Sequence, residues 1–170
     1  MANISSAHGN IVIDYDILKQ GTYAVRSFLK LLSLTDDYTE YATQIDLADS
    51  INLLEEALIQ EWDLTIEFEG CGRWAYDNNV KKLFKLLKWV SQYYHLEAEY
   101  QTVVNHLIKV DESIEFKFVD IEESCNLYYG AIIQVLPCYT ENHELTTKTL
   151  TMGEEEWQID TNQHIYFKLS

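Results

Sequence analysis

Carboxylates dominate one long stretch of this 170-residue sequence. Residues 31–72 contain eleven Asp and Glu residues and neither Lys nor Arg, which gives the stretch a net charge of −11. Its acids are Asp36, Asp37, Glu40, Asp46, Asp49, Glu55, Glu56, Glu61, Asp63, Glu67 and Glu69. Such a surface attracts a basic protein through electrostatic steering and charge-assisted hydrogen bonds. The pattern predicts recognition of a cationic partner, and a solvated surface that serves solubility alone is the alternative.

We predict a contact surface built from acids and aromatic side chains of this stretch. Aromatic residues supply much of the binding energy at protein interfaces. The predicted partner-binding residues are Asp36, Asp37, Glu40, Asp49, Glu55, Glu56, Glu67 and Glu69, with Tyr38, Tyr41 and Trp62 as aromatic anchors. The prediction requires that these side chains form one contiguous surface and that basic residues elsewhere do not neutralise it.

Basic residues cluster directly after the acidic stretch. Residues 73–88 carry a net charge of +4, from Arg73, Lys81, Lys82, Lys85 and Lys88 against Asp77. We favour the interpretation that these cations neutralise the protein's own acids. The alternative is a site for an anion or an acidic partner, in which Trp74 and Tyr76 add stacking contacts.

Residues with the spacing of a catalytic or metal site are not found. The sequence contains no phosphate-binding glycine loop, no nucleophile elbow and no zinc-protease motif. Its five His and three Cys show no metal-ligand spacing. We predict no catalytic residue, no metal and no cofactor. A metal- or thiol-dependent enzyme that uses Cys71, Cys125 or the acids at 120–123 is an alternative hypothesis, although we expect those acids to lie in a solvated turn.

The overall charge restricts the class of partner. Twelve Lys and Arg against 28 Asp and Glu give a net charge of −16. A surface this acidic repels phosphate backbones, so we expect no direct binding to nucleic acid. No run of eighteen apolar residues occurs, and residues 1–10 lack a secretory-signal pattern, so we expect no membrane span and a cytoplasmic location. An odd number of cysteines without CxxC spacing agrees with a reducing compartment.

The elements that position these residues follow from hydrophobic periodicity. Strands are predicted at 11–17, 64–69, 114–118, 131–136, 145–152, 157–159 and 165–169, and helices at 23–34, 47–58 and 80–90. The acidic helix at 47–58 leads into a strand whose solvent side carries Glu67 and Glu69. Gly70-Cys71-Gly72 then predicts a bulge or tight turn. Residues 94–109 fit either a helix or a strand at their start, and we favour a helix.

These elements predict one α+β domain over residues 1–170. Its sheet is expected to be mostly antiparallel, with two to four helices packed on one face, since strands follow one another in the last third. A ferredoxin-like arrangement is one of several that this order allows.

In size, charge and lack of a catalytic motif, the chain resembles two groups of inhibitors. One group is the phage or mobile-element anti-defence proteins, which include DNA-mimic anti-restriction and anti-CRISPR proteins. The other is the bacterial immunity proteins that neutralise nuclease toxins. The resemblance implies a small acidic inhibitor that binds and blocks a basic nucleic-acid-handling protein. It carries over no functional residue and leaves the oligomeric state open.

Overall fold

The computed structural model describes residues 4–37, 40–122, 127–155, 157–159 and 165–167, and side chains within 4–36, 40–121 and 130–150. The helices are α1 (Tyr15–Gln20), α2 (Thr22–Ser33), α3 (Leu47–Gln60), α4 (Asp77–Lys81), α5 (Leu83–Tyr93) and α6 (Glu97–Val110), with a 3-10 helix at Leu34–Asp37. The strands are β1 (Ile4–Ile13), β2 (Thr43–Gln44), β3 (Leu64–Arg73), β4 (Ile114–Glu122), β5 (Leu127–Tyr139), β6 (Leu145–Glu155), β7 (Trp157–Ile159) and β8 (Ile165–Phe167).

Strands β1 to β6 form one antiparallel sheet in the order β2-β3-β1-β4-β5-β6, and β7 pairs with β8. Strand β1 is central, because its Ile11 pairs with Ile66 of β3 on one side and Phe116 of β4 on the other. The predicted α+β class with an antiparallel sheet is confirmed, and the four long helices are α2, α3, α5 and α6. The chain ends in consecutive strands, so its order is not the β-α-β-β-α-β order of a ferredoxin-like fold.

The helices cover one face of this sheet, and the core lies between the two layers. Along β3, Leu64, Ile66 and Phe68 are buried on the helical side, whereas Glu67 and Glu69 are exposed on the other side. Side chains alternate between the two faces of any strand, so a half-buried strand shows this pattern. The solvent-facing side of the sheet is called the open face below.

The first strand is shorter at its C-terminal end than the sequence pattern predicts. Strand β1 ends at Ile13, and the Asp14 carboxylate accepts a hydrogen bond from the Asp16 N–H at 2.8 Å, which caps α1. Ile17 is buried on that helix and does not extend the strand. The prediction over 11–17 was wrong here because Ile13 and Ile17 fit both the two-residue period of a strand and the four-residue spacing of a helix.

The Gly70-Cys71-Gly72 segment is regular strand, so the predicted bulge or turn was wrong. Gly70 pairs with Ala7 and Gly72 with Ser5 in continuous register. An ideal Cβ at Gly70 would lie 2.4 Å from Cε2 of Tyr76, and one at Gly72 would lie 2.5 Å from the Tyr76 backbone. These glycines are needed because Tyr76 packs directly against the strand.

The segment at 94–109 is helical from Glu97 onward, which agrees with the favoured interpretation. A turn at 94–96 separates it from α5, and His95 takes a left-handed backbone conformation there (φ 58°). Since neither Gly nor Pro marks this break, the sequence pattern gave no sign of it.

Candidate functional site

Helix α3 presents the first of two acidic surfaces. The Asp46 carboxylate accepts a hydrogen bond from the Asp49 N–H at 2.9 Å and caps the helix, and Leu54 and Ala57 are buried beneath it. The helix ends at Glu61 in the left-handed conformation (φ 59°). The exposed residues of this region are called the α3 surface: Asp49, Glu55, Glu56, Ile59, Glu61 and Trp62.

Most of the charge on the α3 surface is uncompensated. Glu55 accepts a hydrogen bond from Arg26 of α2, with an N–O distance of 3.0 Å. Among the residues with described side chains, no Lys or Arg forms an ion pair with Glu56 or Glu61. An exposed pair such as Arg26–Glu55 is screened by solvent and contributes little. The α3 surface is therefore a negative surface after folding.

Two large apolar side chains lie among these acids. Ile59 is 78% exposed and Trp62 is 50% exposed. Trp62 follows the helix, and its N–H donates to the Ala57 carbonyl at 3.2 Å, which fixes its backbone. The sequence prediction included Trp62 and missed Ile59, although Ile59 falls one position past the buried stripe that ends at Leu58. A helical projection would have identified it.

The second acidic surface lies on the open face beside the β2–β3 edge. It consists of Asp36, Glu40, Glu67 and Glu69 and is called the edge surface. Gln44 of β2 pairs with Glu69 in the sheet, and its Nε2 donates to Oδ1 of Asp36 at 2.6 Å. These contacts join the 3-10 helix to β3.

Arg73 and His8 lie close to two acids of the edge surface. An Arg73 guanidinium nitrogen lies 3.8 Å from a Glu40 carboxylate oxygen, and His8 Nδ1 lies 3.6 Å from Oε1 of Glu69. The Arg73 contact agrees with the interpretation that the basic cluster neutralises the protein's own acids. Glu67 is exposed and forms no ion pair with a described side chain.

The acids of α3 and β3 point away from each other. Helix α3 packs on the buried side of β3, while Glu67 and Glu69 project from the open face. An amphipathic helix and a half-buried strand that bury their apolar sides against one another must expose their polar sides in opposite directions. The expected single contiguous surface is thus two surfaces on either side of one sheet edge.

Of the other two predicted anchors, the structure describes one. Tyr41 is half-buried. The Asp37 side chain and residue Tyr38 lie outside the described residues, and so does Cys125 of the enzyme hypothesis.

A buried polar cluster lies where β1, β3 and β4 meet. Asp120 is 5% exposed, and its Oδ2 accepts a hydrogen bond from the Tyr76 N–H at 2.7 Å. The Tyr76 hydroxyl lies 2.6 Å from Thr43 Oγ1. Asp120 Oδ1 is buried without a hydrogen-bond partner. Burial raises the pKa of Asp120 and also that of Tyr76.

For Asp120 this cluster corrects the expectation of a solvated turn, because its side chain is buried in the core. The side chain of Glu122 and residue Glu123 lie outside the described residues. The expectation failed because position 120 continues the inward alternation of β4, which a charged residue seldom occupies. Cys71 is a free, half-buried thiol on β3. Among the described side chains, no three His, Cys, Asp or Glu residues are grouped closely enough to hold a metal ion.

No protein-family model, curated protein or solved structure matches this chain. No helix in the described part of the chain has the length and apolar character needed to cross a membrane.

Proposed function

We propose that this chain is a small acidic inhibitor that binds and blocks a basic nucleic-acid-handling protein, as the anti-CRISPR and anti-restriction proteins of phages and mobile elements do. The observation that carries the proposal is the α3 surface. It places Ile59 (78% exposed) and Trp62 (50% exposed) beside Glu56 and Glu61, which form no ion pair with a described side chain. On this proposal the chain acts by binding in the cytoplasm and needs no cofactor.

An exposed tryptophan next to acidic residues is more typical of a protein interface than of a surface that only keeps the protein soluble. A solvated acidic surface gains nothing from exposing Trp62 and Ile59, since apolar side chains there favour association. Interface energy is concentrated in a few large side chains, and surrounding charges select the partner and speed its approach. The partner surface is therefore proposed to be basic, with an apolar pocket that receives Trp62.

The two acidic surfaces suit two modes of inhibition. Glu67 and Glu69 are two positions apart on β3, so both lie on the open face, about 6.8 Å from each other. A row of carboxylates suits a DNA mimic, and a partner that contacted both surfaces would enclose the β2–β3 edge. The Trp62–Ile59 pair has no counterpart in a phosphate backbone, so an inhibitor that uses it need not mimic DNA. The second candidate is an immunity protein, which would use the same pair to bind a single nuclease toxin tightly.

DNA-cleavage assays test the proposal. The purified chain is added to a guide-loaded CRISPR nuclease, a restriction endonuclease and a nuclease toxin. We expect it to inhibit at least one of them, with inhibition weakened more than tenfold by Glu55→Lys with Glu56→Lys and by Trp62→Ala. Excess DNA should relieve inhibition of a CRISPR or restriction nuclease. An immunity protein should inhibit the toxin alone.

Matched variants separate a local effect from a general loss of charge. Glu67→Lys with Glu69→Lys reports on the edge surface. Glu141→Lys with Glu144→Lys changes the same charge in the exposed β5–β6 turn and should inhibit like the wild type. The proposal fails if none of the three nuclease classes is inhibited, or if the control pair weakens inhibition as much as the α3 pair does.

A further inference from the structure

Helix α5 carries a basic and aromatic surface that the proposed function does not use. Lys82 precedes the helix, and Lys85 and Lys88 follow on its solvent side. Trp89 (54% exposed) and Tyr93 (69% exposed) lie beside them, since residues three and four apart share a helix face. These five residues are called the α5 surface. The opposite side of α5 is buried against the core.

The three lysines of this surface have no counter-charge among the described side chains. Among the described residues, no carboxylate lies within 4.0 Å of Lys82, Lys85 or Lys88. Neighbouring Lys81, by contrast, lies 2.8 Å from Asp77. The interpretation that the basic cluster compensates internal acids is therefore supported for Arg73 and Lys81, and no described carboxylate supports it for these three.

The α3 and α5 surfaces belong to helices that pack on different parts of the fold. Helix α3 packs on α2 and on β3, near one edge of the sheet. Helix α5 packs on α6 and on β6, the strand at the other edge, and it also contacts α2 and the 3-10 helix. A second copy can therefore bring its α3 against this α5. A twofold interface repeats every contact, so both oppositely charged pairs form together.

We propose that the α5 surface binds a second copy of this chain, in a twofold dimer that joins α5 of each copy to α3 of the other. Lys85 and Lys88 then face Glu55 and Glu56, and the exposed aromatic side chains of α5 lie against the Trp62 region. The two surfaces are complementary in charge, because the α5 surface is basic and the α3 surface is acidic. Both also carry exposed apolar side chains. Repulsion between two chains of net charge −16 is screened beyond about 8 Å at physiological salt, whereas contact pairs are not.

This inference goes beyond the proposed function. The dimer covers the α3 surface, so the second copy and the proposed nuclease partner compete for it. Dimerisation is tested on the purified chain alone, so the two proposals can fail independently. Sedimentation velocity in 0.15 M NaCl should show a dimer of twice 19.9 kDa that dissociates at 1 M NaCl. Lys85→Glu with Lys88→Glu should weaken dimerisation about a hundredfold, and so should Glu55→Lys with Glu56→Lys, because like charges then face each other.

Mixing the two charge-reversed variants is the decisive measurement. One has two acidic surfaces and the other two basic ones, so an equimolar mixture should form a heterodimer although each variant alone is monomeric. Circular dichroism confirms that both are folded, and the Glu141→Lys and Glu144→Lys control should dimerise like the wild type. A monomeric wild type at 100 µM, or a mixture that stays monomeric, overturns the proposal.

Discussion

Replacing the Asp120 carboxylate by a neutral amide should stabilise the fold at neutral pH. Asp120 is only 5% exposed, and its Oδ1 has no hydrogen-bond partner among the described residues. Asp120→Asn keeps an oxygen for the Tyr76 N–H and removes the buried charge. A buried group without a partner costs more when it is charged than when it is neutral, and the amide NH2 group keeps only the neutral part of that cost. We therefore expect the variant to be more stable by about 1–3 kcal/mol at pH 7.

The difference in the free energy of unfolding between Asp120→Asn and the wild type should increase as the pH rises. Burial raises the pKa of Asp120, and the charge of Asp77 adds to the effect, while the hydrogen bond from the Tyr76 N–H opposes it. The unfolded chain releases this proton first, so wild-type stability falls as pH rises above about 4 and stops falling above the folded-state pKa. At lower pH both proteins are neutral at residue 120 and should be equally stable.

Urea unfolding followed by tryptophan fluorescence from pH 4 to pH 8 measures this difference. With a slope of about 2 kcal/mol per molar urea, the midpoint at pH 7 should rise by about 0.5–1.5 M. Glu141→Gln alters an exposed carboxyl and should move the midpoint by less than about 0.3 M. The reasoning is refuted if Asp120→Asn lowers the midpoint at pH 7, or shifts it equally at pH 4 and pH 7.

Three further substitutions test local contacts by the same unfolding measurement. Gly70→Ala should lower the free energy of unfolding by about 1–3 kcal/mol through overpacking, because its Cβ would lie 2.4 Å from the Tyr76 ring. An unchanged free energy of unfolding would mean that the ring moves aside. Asp46→Ala should cost about 1 kcal/mol by removing the cap on the Asp49 N–H, and Asp46→Asn should not; equal losses would contradict the capping role. Tyr76→Phe should cost about 1–3 kcal/mol, because the buried Thr43 hydroxyl loses its partner; unchanged stability would show that it has another.

The local hydrophobic pattern was sufficient to predict the helix and the strand that carry the acids of the two surfaces. Leu47, Ile51, Leu54 and Leu58 recur at helical spacing, and Leu64, Ile66 and Phe68 alternate, so α3 and β3 were predicted within a few residues. The rule that a helix and a strand bury their apolar sides together also places their acids in opposite directions. The error of expecting one surface came from treating neighbours in sequence as neighbours in space.

Long-range contacts account for what the sequence did not reveal. The burial of Asp120 depends on the N–H of Tyr76, which is 44 residues away in sequence. Gly70 and Gly72 are consistent with a bulge until Tyr76 is known to pack on them. Whether a described carboxylate lies near Lys85 likewise depends on where α5 packs relative to the elements that carry Asp and Glu. Periodicity describes one element at a time and contains none of this information.

The position of β1 at the centre of the sheet has a consequence for how the chain folds. Ile13 of β1 pairs with Leu64, and Ser6 pairs with Ile121, so its two neighbours are about fifty and more than a hundred residues away in sequence. Contacts this distant slow folding, because long loops must close first. During synthesis, Ile11 leaves the ribosome before β3 and β4 and cannot be covered on both sides until β4 has also emerged.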